Sequence, residues 1–207
     1  MTPQTFPELS AALCATCHLF GERQWCLATS GNFSVRVAPE RCLITQSGKD
    51  KSTLSPDDLM ICDLAGRALV ATLQSSAETA LHTCLYRHDG EIGAVLHTHS
   101  VAATVVSRAV DAVVEIDGLE MQKALRGVSS HEQALSIPVL ENTQDMPQLA
   151  GELERRLAAG DIPLPAFLVR GHGLYAWGRT LGEAQRHVEG LEFLLQCLWQ
   201  ERLAATQ

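Results

Sequence analysis

His97 and His99 stand one residue apart at the end of EIGAVLHTHS (residues 91–100). The apolar run before them predicts a buried strand, and side chains two apart on a strand point to the same face. Two imidazoles on one face can chelate a single divalent ion. A catalytic zinc typically takes three protein ligands and keeps a position open for substrate. His172 is the third candidate. It lies between Gly171 and Gly173, which join two β-prone runs in PAFLVRGHGLYAWG, at a point where the backbone can approach another segment closely. Three neutral imidazoles favour zinc, while iron, cobalt, nickel and manganese accept similar donors. His82 and His187 fall on expected helices, where packing or exposure to solvent accounts for them. His18, His88 and His131 have no context that assigns them a role.

A competing motif lies near the N-terminus. Cys14-Ala15-Thr16-Cys17-His18 spells C-x-x-C-H, the attachment site of c-type haem, and C-x-x-C alone can hold zinc or a redox disulfide. The stretch MTPQTFPELSAALC has neither a basic start nor a long apolar run before a small-residue cleavage site, so the expected address is cytoplasmic. Haem is attached to this motif outside the bacterial cytoplasm. The seven cysteines are odd in number and scattered, and a reducing compartment keeps them as thiols. Leu9, Ala12, Leu13, Cys17 and Phe20 recur at helical spacing, which predicts a helix over 7–20 with Cys17 as a small hydrophobe on its core face.

The elements that must position the histidines follow from the same kind of pattern. ATSGNFSVRV turns through Gly31 and Asn32 into a strand, and RCLITQSG supplies a second. SPDDLMICDLAGRALV reads as a capped turn followed by β-prone runs. SSAETALHTCLYRH reads as a helix, with Ser75 and Glu78 at capping-box spacing. SVAATVVSRAV is a small-residue helix. Residues 111–140 hold a short helical piece at LEMQKAL and a strand at SIPVL. DMPQLAGELERRLAAG is a helix stopped by Gly160. The final helix opens on a second capping box, Thr180 and Glu183. Strands and helices interleave without a repeat, a linker or a break in composition. One α/β domain over residues 1–207 is therefore expected.

Composition removes whole classes of function. A hydrophobic content of 46% against 19% charged residues belongs to a packed domain, and no apolar run approaches the ~20 residues that span a bilayer. The net charge is −8 and the only lysines are Lys49, Lys51 and Lys123, so no basic stripe exists for nucleic acid. A phosphate ligand stays compatible, because backbone amides can hold it without global positive charge.

ATSGNFSVR, LITQSGKD, SSAETALH, AVLHTHS and RGHGLYAWG occur here in the order seen in the class II aldolase/adducin family of zinc-dependent sugar-phosphate enzymes. The chain resembles that family from about Pro7 to Trp199. The resemblance implies a single three-layer α/β/α domain around a largely antiparallel sheet, with one zinc per subunit on His97, His99 and His172. It places the phosphate site on Gly31, Asn32, Ser47, Gly48 and Ser76. The family's Ser-Ser-acid segment falls on Ser76, Ala77 and Glu78, so the second serine is replaced, and Ser75 is out of register. Glu78 thus has two readings, a helix cap or a secondary acid/base. The family generally forms homotetramers with sites near subunit interfaces.

Downstream, EIDGLEMQKAL, IPVLENTQDMPQLA and HGLYAWG look like the dehydratase branch of the family. There the glutamate of the LEM segment, here Glu120, is the acid/base. The implied reaction is zinc-dependent loss of water from 5-methylthioribulose 1-phosphate, giving 2,3-diketo-5-methylthiopentyl 1-phosphate, a step of methionine salvage. Apolar Leu119 and Met121 beside Glu120 would raise its pKa. The alternative is aldol cleavage or 4-epimerisation of another ketose phosphate.

Overall fold

The computed structural model describes residues 1–205. Eight strands form one sheet: β1 (Asn32–Ala38), β2 (Arg41–Thr45), β3 (Leu59–Asp63), β4 (Ala94–Thr98), β5 (Val113–Ile116), β6 (Leu135–Leu140), β7 (Ala166–Val169) and β8 (Gly173–Gly178). Their order across the sheet is β3-β2-β1-β4-β8-β7-β6-β5. Every pairing is antiparallel except β6 with β7. That exception has a cause in the chain, since α4 (Met146–Ala159) connects β6 to β7 and a helical crossover delivers the second strand in the same direction.

Alternation along the strands sorts side chains into two apolar layers. Ala94 and Leu96 of β4 join one, with Leu13, Cys17 and Phe20 of α1 (Pro7–Glu22), Val106 of α3 (Val101–Arg108) and Val188 and Leu191 of α5 (Leu181–Ala205). Val95 joins the other, with Tyr175, Leu81 and Leu85 of α2 (Thr79–His88), and Leu149 and Leu153 of α4. The result is the expected three-layer α/β/α domain with a mostly antiparallel sheet. No described helix is long and apolar enough to cross a membrane.

The C-x-x-C-H segment lies inside α1. Cys14 and Cys17 are buried in the core, burial pushes both thiol pKa values up, and His18 Nε2 lies 2.7 Å from the Leu54 carbonyl oxygen. These contacts assign the motif to helix packing, as the helical spacing of Cys17 predicted.

The second capping box forms in part. The Thr180 hydroxyl accepts from the Glu183 amide, but the Glu183 carboxylate takes the Arg179 amide instead of that of Thr180. The first box does not form. Ser75 donates its hydroxyl to the Gly66 carbonyl, the helix begins only at Thr79, and the Glu78 carboxylate points elsewhere.

Candidate metal centre

β4 and β8 carry the site. Their register opposes His97 to Tyr175 and Thr98 to Leu174. The imidazole of His97 stacks on the Tyr175 ring at 3.9 Å between centroids and 10° between planes, and Phe167 stacks on the far side of Tyr175 at 4.8 Å. His97 is fully buried, and its Nδ1 meets the Leu174 carbonyl at 2.9 Å. A carbonyl can only accept, so the proton sits on Nδ1 and the Nε2 lone pair faces the cluster.

His99 lies just past β4, its amide donating to the Trp25 carbonyl at 2.7 Å. The His97 and His99 ring centroids are 4.5 Å apart, as strand alternation requires of residues on one face. His172 enters from the turn between β7 and β8, with its Nε2 at 3.4 Å from that of His97. The flanking glycine is structurally necessary. A Cβ on Gly173 would lie 2.0 Å from the Thr98 carbonyl oxygen, so only glycine lets β8 run this close to β4.

Glu78 completes the group. Its Oε1 lies 3.0 Å from His172 Nε2, and its Oε2 is 3.8 Å from His97 Nε2 and accepts a short hydrogen bond from Asn32 Nδ2. One ligating atom from each of Glu78, His97, His99 and His172 falls within 4.8 Å of the others. Burial works to raise the Glu78 carboxyl pKa, but the hydrogen bond from His172, the neighbouring imidazoles and the Asn32 amide outweigh it and hold it well below the usual range. Burial pulls His97 well below its ordinary pKa, with His99 adding to the effect, and takes His99 down to about 4. These imidazoles are therefore neutral at pH 7, the state in which histidine ligates a metal.

The donor set fits zinc. Three imidazole nitrogens and a carboxylate oxygen are all zinc ligand types, and the buried His99 Nε2 has no hydrogen-bond partner among the described residues.

Beside the cluster lies a cavity of ≈ 100 Å³, lined by Gly31, Asn32, Ser47, Gly48 and Ser76 together with Lys51, Glu78 and His99. All five residues expected at a phosphate site thus border the space next to the histidines. Gly31 has φ +76°, and a Cβ there would sit 2.8 Å from the His97 carbonyl oxygen, so the turn before β1 needs glycine as well. The Ser76 hydroxyl accepts from the Glu78 amide at 3.2 Å.

Lys51 was not expected. It is 1% exposed, and its ammonium donates to the carbonyls of Thr29 at 2.8 Å and Lys49 at 2.6 Å. It therefore ties together the two loops that border the cavity, and burial lowers its pKa. Only its proximity to the Ser47-Gly48 turn hinted at this position.

Glu120 lies apart from the cluster. It opens a 3-10 turn (Glu120–Ala124) with its side chain 69% exposed, paired with Lys123 and, at 3.2 Å, with His131. The expected rise in its pKa is corrected by this geometry. Lys123 holds the carboxyl below its ordinary value, and Leu119 and Met121 do not bury it. His187 is a packing residue, bonded to the Trp177 carbonyl and the Arg126 amide. His82 is fully buried, as the packing reading expected, and both its ring nitrogens are hydrogen-bonded.

Comparison with known proteins agrees with this geometry. Residues 11–199 match the family described as Class II Aldolase and Adducin N-terminal domain. The chain is 52% identical over 194 residues to the methylthioribulose-1-phosphate dehydratase of Pectobacterium atrosepticum, covering 93% of this chain and 94% of that protein. It is 51% identical to the protein of the same name from Yersinia enterocolitica, over 93% of this chain and 91% of the relative. Among solved structures, the L-fuculose-1-phosphate aldolase of Thermus thermophilus superposes with a TM-score of 0.78 at 28% identity, covering 97% of this chain and 98% of that one. The sequence match, the α/β/α architecture and the clustered histidines agree, and the chain belongs to the class II aldolase and adducin N-terminal domain family.

Proposed function

We propose that this chain is a lyase that dehydrates 5-methylthioribulose 1-phosphate to 2,3-diketo-5-methylthiopentyl 1-phosphate, a step of methionine salvage. The observation that carries the proposal is identity of about half the residues to dehydratases of that name, across nearly their whole length. The cluster of Glu78, His97, His99 and His172 supports it by offering a zinc site.

His97, His99 and His172 would hold the metal. When bound, zinc supplies Lewis acidity for the C2 ketone, which acidifies the C3 proton. The cavity at Gly31, Asn32, Ser47, Gly48 and Ser76 takes the phosphate, with the buried ammonium of Lys51 beside it. Glu120 removes the proton at C3 and returns it to the departing C4 hydroxyl. The C3–H electron pair becomes the C3–C4 double bond, the C4–O pair leaves with water, and the resulting enol tautomerises to the 2,3-diketone.

Glu120 is exposed, paired with Lys123 and His131, and outside the cluster of ligating side chains in its own chain. We therefore assign Glu120 to a neighbouring subunit's site in a homotetramer. Chains carrying Glu120→Gln and chains carrying His97→Ala should then regain activity when their subunits are exchanged, and two equally dead parents without recovery would place Glu120 elsewhere. Seven free cysteines, six of them buried, suit a reducing cytoplasm.

The second reading is aldol cleavage or epimerisation of another ketose phosphate. It is favoured by one feature, the position of Glu78 inside the cluster, where a carboxylate could act in place of Glu120. Product analysis separates the two. Dehydration yields one diketone lighter by a water, whereas aldol cleavage yields two fragments.

A further inference from the structure

A chain of buried hydrogen bonds runs from the helical layer to the cavity, and its first three members, Tyr86, Ser34 and His82, have no functional role assigned so far. The Tyr86 hydroxyl lies 2.8 Å from Ser34 Oγ, which lies 2.7 Å from His82 Nδ1. His82 Nε2 lies 2.5 Å from Asn32 Oδ1, and Asn32 Nδ2 donates to Glu78 Oε2. Tyr86, Ser34 and His82 are all within 1% of full burial, and Asn32 is 4% exposed. The hydrogen-bonded path reaches the cluster through Asn32 and Glu78, and the His82 ring also meets Tyr175 edge-on at 5.9 Å between centroids.

The contacts admit only one direction of donation. A carboxylate accepts, so Asn32 must turn its amide nitrogen to Glu78 and its oxygen to His82. That oxygen also accepts, so the proton of His82 is on Nε2. Nδ1 of the neutral ring is then bare and takes the hydrogen of Ser34. With that hydrogen used, Ser34 accepts from Tyr86. Burial favours the neutral ring, taking the His82 pKa down to about 4.

We infer that His82, backed by Ser34 and Tyr86, is a positioning residue that locks the Asn32 amide with its nitrogen toward Glu78 and the phosphate cavity. The inference rests on reading that cavity as a phosphate site. Were the amide reversed, its oxygen would abut both the Glu78 carboxylate and the phosphate, setting acceptors against one another. Without His82 the Asn32 oxygen loses its buried donor, and only repulsion from the Glu78 carboxylate is left to oppose that reversal.

Neutron diffraction from crystals of the whole protein reads the hydrogens directly. The expected result is deuterium on Nε2 of His82 and none on Nδ1, with the Asn32 amide deuterons on the Glu78 side. Deuterium on Nδ1 alone, or on both nitrogens, would overturn the inference, and this arm does not depend on which sugar phosphate is the substrate.

The second arm uses inorganic phosphate as the probe on zinc-loaded protein. His82→Leu should weaken phosphate binding and raise KM by about 10–100-fold, the scale of a hydrogen bond to a charged group. Zinc content and kcat should change little. His82→Gln, whose amide can still donate to Asn32, should recover most of the affinity, which a purely structural role would not require. Unchanged phosphate affinity in a folded, zinc-replete His82→Leu protein would refute the lock. Should His82→Leu fail to fold, Ser34→Ala, which frees His82 to move its proton, should show the same loss in weaker form. Failure of the dehydratase reading would instead appear as inactivity of the unmutated protein with phosphate binding intact.

Discussion

Glu78 and Glu120 divide the carboxylate chemistry of this chain between a buried and an exposed position. Glu78 touches His172 and Asn32, so Glu78→Gln removes a charged donor from the cluster and should lower zinc affinity by about 10–100-fold, read by chelator competition. Glu120 contacts no ligand within its own chain, so Glu120→Gln should leave bound zinc unchanged. It should cut turnover by about 10²–10⁴-fold, the usual contribution of a positioned acid/base. If Glu78→Gln kept its zinc and lost turnover while Glu120→Gln stayed active, the acid/base would be Glu78. The two residues also mark how far the sequence could be read. His97, His99 and His172 were legible because strand alternation and flanking glycines are local signals. Ser75-x-x-Glu78 matched a capping box, yet the partners that decide its role, Asn32 and His172, are distant in the chain. Lys51 and His82 were missed for the same reason, since each acquires its meaning from a neighbour on another element.

At the scale of elements, the site depends on how closely β8 lies against β4. Gly173 is the contact that sets this spacing. Gly173→Ala must push Thr98 and Leu174 apart, costing about 1–3 kcal/mol or more by overpacking and separating His172 from His97. The expected outcome is a lower melting temperature together with weaker zinc binding. Gly182→Ala is the control, since nothing lies within 4 Å of a Cβ there and the position is at the exposed start of α5. It should be neutral or slightly stabilising. Loss of zinc from both variants, or from neither, would show that Gly173 does not set the spacing of the ligands. Strand and helix identities came from periodicity, and nearly all were found where expected. The order of strands was not legible, because pairing β4 with β8 and β6 with β7 is decided by which helices cover each face.

At the scale of the whole molecule, one carboxylate among the described residues is buried in the core, and folding must accommodate it. Glu192 on α5 is 3% exposed, and burial raises its pKa to about 7, against the pull of the Ser100 and Thr98 hydroxyls. In the unfolded chain the group ionises near 4.5. Between those values the folded state holds a proton that the unfolded state has lost, so the contribution of Glu192 to stability falls by about 3 kcal/mol as pH rises through that window and levels off above it. The buried histidines, held neutral in the fold, contribute with the opposite sign over the same range. Glu192→Gln keeps the histidine contribution and loses that of Glu192, so the stability difference between variant and wild type, from denaturant midpoints, should shift in favour of the variant from pH 4.5 to 8. A difference that does not change with pH would remove Glu192 from the pH dependence.

Dehydration depends on zinc held by three histidines if activity follows the ion. The protein is stripped of metal, zinc is returned in steps, and diketone formation from 5-methylthioribulose 1-phosphate is followed against zinc bound. Activity should rise in proportion to bound zinc and saturate at one ion per chain, with none gained by His172→Ala protein. Full dehydration by metal-free protein, or by His172→Ala protein without zinc, would contradict it.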